Sequence, residues 1–111
     1  MKVIRKGQGD PYEAPKHFNC WAMNKLRPDL SQRLQVGVSH FLPNGGAEMS
    51  SSPMERAYYV LSGSILVKGK NNEEHTLGLD DLIYIAANEE RSFQNQGTTP
   101  ATILVILVKV D

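Results

Sequence analysis

One cysteine, Cys20, stands alone in 111 residues, so no intrachain disulfide forms and the fold rests on packing. Poverty in cysteine fits a reducing compartment. No charged, apolar, small-residue leader opens the chain at Met1-Lys2-Val3-Ile4-Arg5, and both observations point to a cytoplasmic protein. Charge of one sign is missing as well. Twelve Lys and Arg balance twelve Asp and Glu, which leaves no electrostatic footprint for nucleic acid or an anionic membrane. Long apolar runs are absent: the longest, Ile103 to Val108, falls far short of the roughly twenty residues that span a bilayer. The length allows one compact domain and excludes a separate cofactor domain. A chain of this size buries roughly two thirds of its unfolded surface, enough for one core.

No long stretch holds a helical period either. Short β-branched runs alternate instead with Gly, Pro, Asn and Asp clusters, which predicts an all-β sandwich or barrel. From Leu34 the even positions Leu34, Val36, Val38, His40 and Leu42 are mostly apolar, so that face is expected to look inward. Pro43-Asn44-Gly45-Gly46 reads as a turn. Strands are predicted over Tyr58 to Leu61, Ile65 to Val67, Thr76 to Leu79, Leu82 to Ile85, Arg91 to Asn95 and Ala101 to Val110, with Gly69 to Glu73 as a hairpin connection. Earlier in the chain, Asp10 to Pro15 reads as loop, Phe18 to Leu26 as a candidate strand and Arg27 to Leu30 as a turn. The last strand is apolar on both faces, with Ile103, Val105 and Leu107 on one and Leu104, Ile106 and Val108 on the other. Its outer face needs a cover, either the N-terminal segment or a second subunit, and a homodimer is expected.

Gly45 to Gly63 and Asp80 to Asn95 carry a more specific pattern. Tyr59-Val60-Leu61-Ser62-Gly63 closes the first stretch, and Asp80-Asp81-Leu82-Ile83-Tyr84-Ile85, followed by Ala86, Asn88, Arg91 and Asn95, forms the second. Together they resemble the two motifs of the cupin family. The resemblance implies a double-stranded β-helix (jelly-roll) barrel, a single cupin domain over residues 1–111, with N-terminal strands and loops over 1–33 and the core barrel over 34–111. It also implies a divalent metal held by three His and one Glu. At those positions this chain has Arg56 for the Glu, Ser50 and Ser52 (or Met49 and Ser51 under the longer spacing) for two His, and Arg91 for the third. Serine hydroxyls are weak ligands and a guanidinium has no lone pair to give, so neither a bound metal nor another cofactor is expected.

Strand alternation anchored on this motif points Arg56, Tyr58 and Val60 inward, together with Arg91, Phe93 and Asn95. Two buried guanidinium groups need acids or a ligand, and the nearest acids in sequence are Glu48, Glu55, Glu89 and Glu90. On one reading Arg56 and Arg91, with Ser50 and Ser52, bind a carboxylate, phosphate or enolate oxygen in a pocket ringed by Tyr58, Tyr84 and Phe93 and lined by Asn95. On the other, each arginine reaches the rim and pairs with a neighbouring glutamate. His40, Glu48 and Tyr58 are the candidate proton-transfer groups, His40 being equally readable as a packed core histidine. A non-standard metal site from His40 and Glu48 would lack a third ligand. His17 and His75 are assigned no role, and Cys20 reads as an inert thiol. Three functions remain open: a metal-independent lyase, isomerase or decarboxylase acting on a small carboxylated or carbonyl compound, a non-catalytic binding or sensing barrel, and a metal-dependent enzyme with atypical ligands.

Overall fold

The computed structural model describes residues 1–110 as nine strands and one 3₁₀ turn. They are β1 (Asp10–Tyr12), β2 (His17–Leu26), β3 (Leu34–Ser50), β4 (Glu55–Ser62), β5 (Ile65–Lys68), β6 (Glu74–Leu77), β7 (Leu82–Ile85), β8 (Arg91–Gln94) and β9 (Ala101–Val108). All belong to one sheet ordered β6-β5-β8-β3-β9-β4-β7, with β2 added on β3 and β1 on β2. Every ladder is antiparallel, and the sheet curls into a near-closed jelly-roll barrel. The expected fold class is therefore the observed one. No helix among the described residues is long and apolar enough to cross a membrane.

Most predicted strands are present, with ends shifted by up to a few residues. Asp10 to Pro15 is not all loop, because Asp10–Tyr12 pairs with Ala22 to Asn24. The predicted turn at Pro43 to Gly46 is not a chain reversal. β3 runs through it, pairing with β9 up to Phe41 and with β8 from Gly46. Asn44 takes φ 68° there, and its N–H donates to the Asn95 carbonyl at 3.0 Å. A residue that tolerates the left-handed region bends the strand from one part of the sheet to the next without ending it. At Gly63 (φ 75°) the chain leaves β4 so close to its neighbour that a Cβ would lie 2.5 Å from the Pro100 carbonyl oxygen. The Gly69 to Glu73 connection forms as expected, with Asn71 and Asn72 both at positive φ.

The ladders fix which side chains look inward. Phe41 faces Ala101, Ser39 faces Ile103, Val60 also faces Ile103, and Tyr58 faces Val105. One end of the barrel is solid, filled by Phe41, Val60, Ile65, Val67, Ala101 and Ile103. The other end is hollow. There the inward positions of β3 are Gln35, Gly37 and Ser39, which are polar or lack a side chain, while Val36, Val38 and His40 lie on the outer face opposite Ile106, Leu104 and Thr102. The expected inward face of this strand is thus reversed: the cavity takes the side of Gln35, Gly37 and Ser39, and the apolar side lies on the outside.

Candidate functional site

The hollow end encloses a cavity of about 370 Å³, within the range of small-molecule sites. Its exposed lining residues, Tyr12, Pro15, Lys16, Ser51 and Pro53, mark the mouth. Its floor carries Arg56, Tyr58, Arg91 and Phe93, all buried. β4 delivers the first pair because Arg56 and Tyr58 alternate with Ala57 and Tyr59, which face out. β8 delivers the second pair by the same alternation, and Ser50, opposite Arg91 on β3, joins them after a step in the ladder.

Arg56 is 2% exposed. Its Nη2 donates to the carbonyls of Ala86 (2.9 Å) and Glu89 (2.6 Å), whereas its Nε and Nη1 are buried without a hydrogen-bond partner. Arg91 donates from Nη1 to Ser50 Oγ at 3.0 Å, lies over the Phe93 ring at 4.9 Å, and leaves its Nε likewise unpartnered. Desolvation pulls the Arg56 guanidinium below its ordinary range, the Tyr58 hydroxyl opposes this, and the charge of Arg91 adds to it. Glu89 acts on Arg56 least of all, and no carboxylate is among the cavity's lining residues. Two cations therefore share a pocket with three idle N–H-bearing atoms and no counter-ion from the lining. Such an arrangement is costly unless a negative oxygen completes it.

Of the other predicted site residues, Ser50, Ser52, Tyr58 and Phe93 line the cavity as expected. Four do not. His40 faces outward, stacked on Trp21 with centroids 4.1 Å apart and with Nδ1 3.1 Å from Thr102 Oγ1. Glu48 is exposed, outside the cavity, with its N–H bonded to the Lys16 carbonyl. Asn95 is a buried brace: its Nδ2 donates to the Phe41 and Thr99 carbonyls at 2.9 Å each, and its Oδ1 accepts from Gly97 N–H. Tyr84, expected at the pocket rim, is 56% exposed on the outer face and donates to Glu55 Oε1. Cys20 is partly buried, and desolvation raises its pKa, which keeps the thiol protonated and inert.

Sequence reasoning missed His17. It lies opposite Ala47, which itself faces Phe93, so it points into the barrel. The signal was hidden by a bulge. A register shift between Phe18 and Cys20, with Asn19 at φ 51°, reverses the alternation, so that His17 and Cys20 share a face although their numbers differ by an odd count.

A divalent metal of the kind the resemblance implies does not fit these residues. The ligand positions present two hydroxyls and two guanidinium groups, and Arg56 and Arg91 fill the space with fixed positive charge. Among the described residues no group of three His, Cys, Asp or Glu is placed to hold an ion.

Comparison with known proteins agrees with this architecture. The cupin domain sequence model matches residues 37–107. The chain is 33% identical over 107 residues to the β-D-galactosidase Rv1717 of Mycobacterium tuberculosis, covering 95% of this chain and 91% of that protein. Among solved structures it superposes on the polyketide cyclase RemF of Streptomyces resistomycificus with a TM-score of 0.84 at 20% identity, over 97% of this chain and 79% of that one. A predicted oxalate decarboxylase of Thermotoga maritima gives a TM-score of 0.84 at 15% identity, over 98% and 100% of the two chains. Motif, barrel and match agree, and the chain belongs to the cupin family.

Proposed function

We propose that this protein binds a small organic anion, a carboxylate or enolate, in the barrel cavity and acts on it without a metal held by its own side chains. The observation that carries this reading is Arg56: a nearly inaccessible guanidinium with two unpartnered nitrogens, beside a second arginine, in a pocket whose lining holds no acid. Charge-assisted hydrogen bonds to a carboxylate would satisfy those atoms and remove the repulsion between the two cations. The same donors meet developing oxyanion charge, which suits a lyase, isomerase or decarboxylase. Names among the structural neighbours, a polyketide cyclase and a predicted oxalate decarboxylase, support an enzyme in this fold. The test is thermal unfolding with malonate, acetate and phosphate, repeated in Arg56→Met and Arg91→Met. Anion-dependent stabilisation that shrinks in both variants supports the reading; no stabilisation, or equal stabilisation in all three proteins, overturns it.

A second reading, a galactoside substrate, rests on the curated relative's name. The usual glycosidase needs two carboxyl groups flanking the scissile bond, and the cavity lining contains neither. Release of nitrophenol from nitrophenyl β-D-galactoside by the purified protein, lost in Arg56→Met, would replace the anion reading with this one.

We propose further that the outer face of β9 is covered by a second copy of the chain. Leu104 and Ile106 there continue into Val36 and Val38 of β3 and into Ala57 and Tyr59 of β4, an apolar surface across three strands that suits a two-fold, self-matching contact. Sedimentation of the wild type as a dimer and of Leu104→Glu as a folded monomer is the expected result.

A further inference from the structure

His17 is the one imidazole lining the anion cavity, and its ring is held in a single tautomer. Nδ1 lies 2.8 Å from the Pro15 carbonyl oxygen, which only accepts, so Nδ1 carries the hydrogen and Nε2 carries the lone pair. The ring stacks on Phe41 with centroids 6.0 Å apart, and among the described residues no other protein group hydrogen-bonds to it. Desolvation holds the imidazole below its ordinary pKa, and the charge of Arg91 pushes the same way. The charged and titratable groups sharing the cavity are Lys16 beside it on the N-terminal segment, Tyr12 on β1, Arg56 and Tyr58 on β4 and Arg91 on β8. None is a carboxylate, so no anionic group of the lining stabilises the charged form of the ring.

We infer that His17 is the proton-transfer group of this cavity and that the reaction is keto–enol tautomerisation of a small 2-oxo acid. This rests on the anion reading above. The two arginines hold the carboxylate and the neighbouring carbonyl oxygen. Nε2 takes a proton from carbon 3, and the C–H electron pair forms the carbon–carbon double bond while the carbonyl pair moves onto oxygen. The resulting enolate charge faces the guanidinium donors. Returning the proton to that oxygen gives the enol, and returning it to carbon 3 regenerates the keto acid. No oxidant, reductant or second substrate enters the balance. Each cycle exposes the transferred proton to solvent exchange, which gives a direct readout.

The test follows exchange of the carbon 3 protons of pyruvate, 2-oxobutanoate and 2-oxoglutarate in D2O by proton NMR, alongside thermal unfolding with the same compounds. Three proteins are compared: wild type, His17→Gln and His17→Asn. An asparagine amide places its N–H near the former Nδ1 and keeps the bond to Pro15 while lacking Nε2, so it separates support of the loop from proton transfer. Wild type is expected to speed exchange of at least one compound, and both variants to lose 10²-fold or more of that rate while still being stabilised by it. In wild type the rate should fall on the acid side, with a midpoint below pH 6.5. Exchange retained in His17→Asn overturns the assignment, as does stabilisation of all three proteins with no exchange above buffer. Failure of every anion to stabilise even wild type is the separate result that removes the anion reading, and this inference with it.

Discussion

The 3.0 Å hydrogen bond from Arg91 Nη1 to Ser50 Oγ joins two positions where the family's metal ligands would stand, across the irregular step of the β3–β8 ladder. Hydroxyl and guanidinium satisfy one another where two imidazoles would have needed an ion. On the reading proposed above, the site would attract an anion where the family pattern holds a cation.

That exchange predicts how anion affinity responds to mutation. Loss of one charge-assisted contact is worth about 1.5–3 kcal/mol, so Arg91→Met should weaken binding of malonate roughly 10- to 100-fold by calorimetry. Arg91→Lys should recover only part of this, because a point charge cannot keep the bond to Ser50 and the contact with Phe93 together.

The same substitution should be felt at His17. Its pKa is held down first by desolvation and also by the charge of Arg91, so Arg91→Met should raise it while leaving it below 6.5. Titration of the ring nitrogens by NMR measures this. No change on removing Arg91 would mean that the two groups do not interact.

Both His17 and His40 have pKa values lowered by burial, which fixes the sign of a pH effect. The folded state resists a proton that the unfolded state accepts. These groups therefore leave stability unchanged well above pH 6.5 and reduce it as pH falls through 6.5 toward the lower folded values. Urea midpoints should drop between pH 7 and pH 5, and the drop should be smaller in the His17→Asn/His40→Gln double variant.

Asn95, expected in the binding site, should act on stability instead. Asn95→Ala would orphan the Phe41 and Thr99 carbonyls and the Gly97 N–H, costing about 3 kcal/mol in denaturant unfolding. Where the variant is folded, its malonate affinity should match wild type.

Gly63→Ala forces a Cβ onto the Pro100 carbonyl at a left-handed φ, and should cost about 1–3 kcal/mol. Equal urea midpoints for variant and wild type would show that the β4 exit relaxes freely.

How far the sequence carried these conclusions differs from strand to strand. The inward set Arg56, Tyr58, Arg91 and Phe93 was legible because β4 and β8 are short and regular, and alternation from one anchored position held along each. β3 misled because hydrophobicity marks the core face only where the interior is filled by side chains. Its inward residues Gln35, Gly37 and Ser39 line the cavity, while Val36 lies on the other face opposite Ile106. Asn95 follows Phe93 by two and is buried by the same alternation, but there its amide is spent on the Phe41 and Thr99 carbonyls and the Gly97 N–H, away from the cavity lining. His17 was lost to the bulge at Asn19, since an asparagine tolerates positive φ but does not by itself mark a bulge within a strand.

The mouth of the cavity hangs from the barrel largely by main-chain bonds: β1 on β2, β2 on β3, and Glu48 N–H on the Lys16 carbonyl. Such attachment is indifferent to side-chain identity. Residues such as Tyr12 are therefore free to vary without loosening the scaffold, and descendants sharing one charged floor could diverge in which molecules they admit.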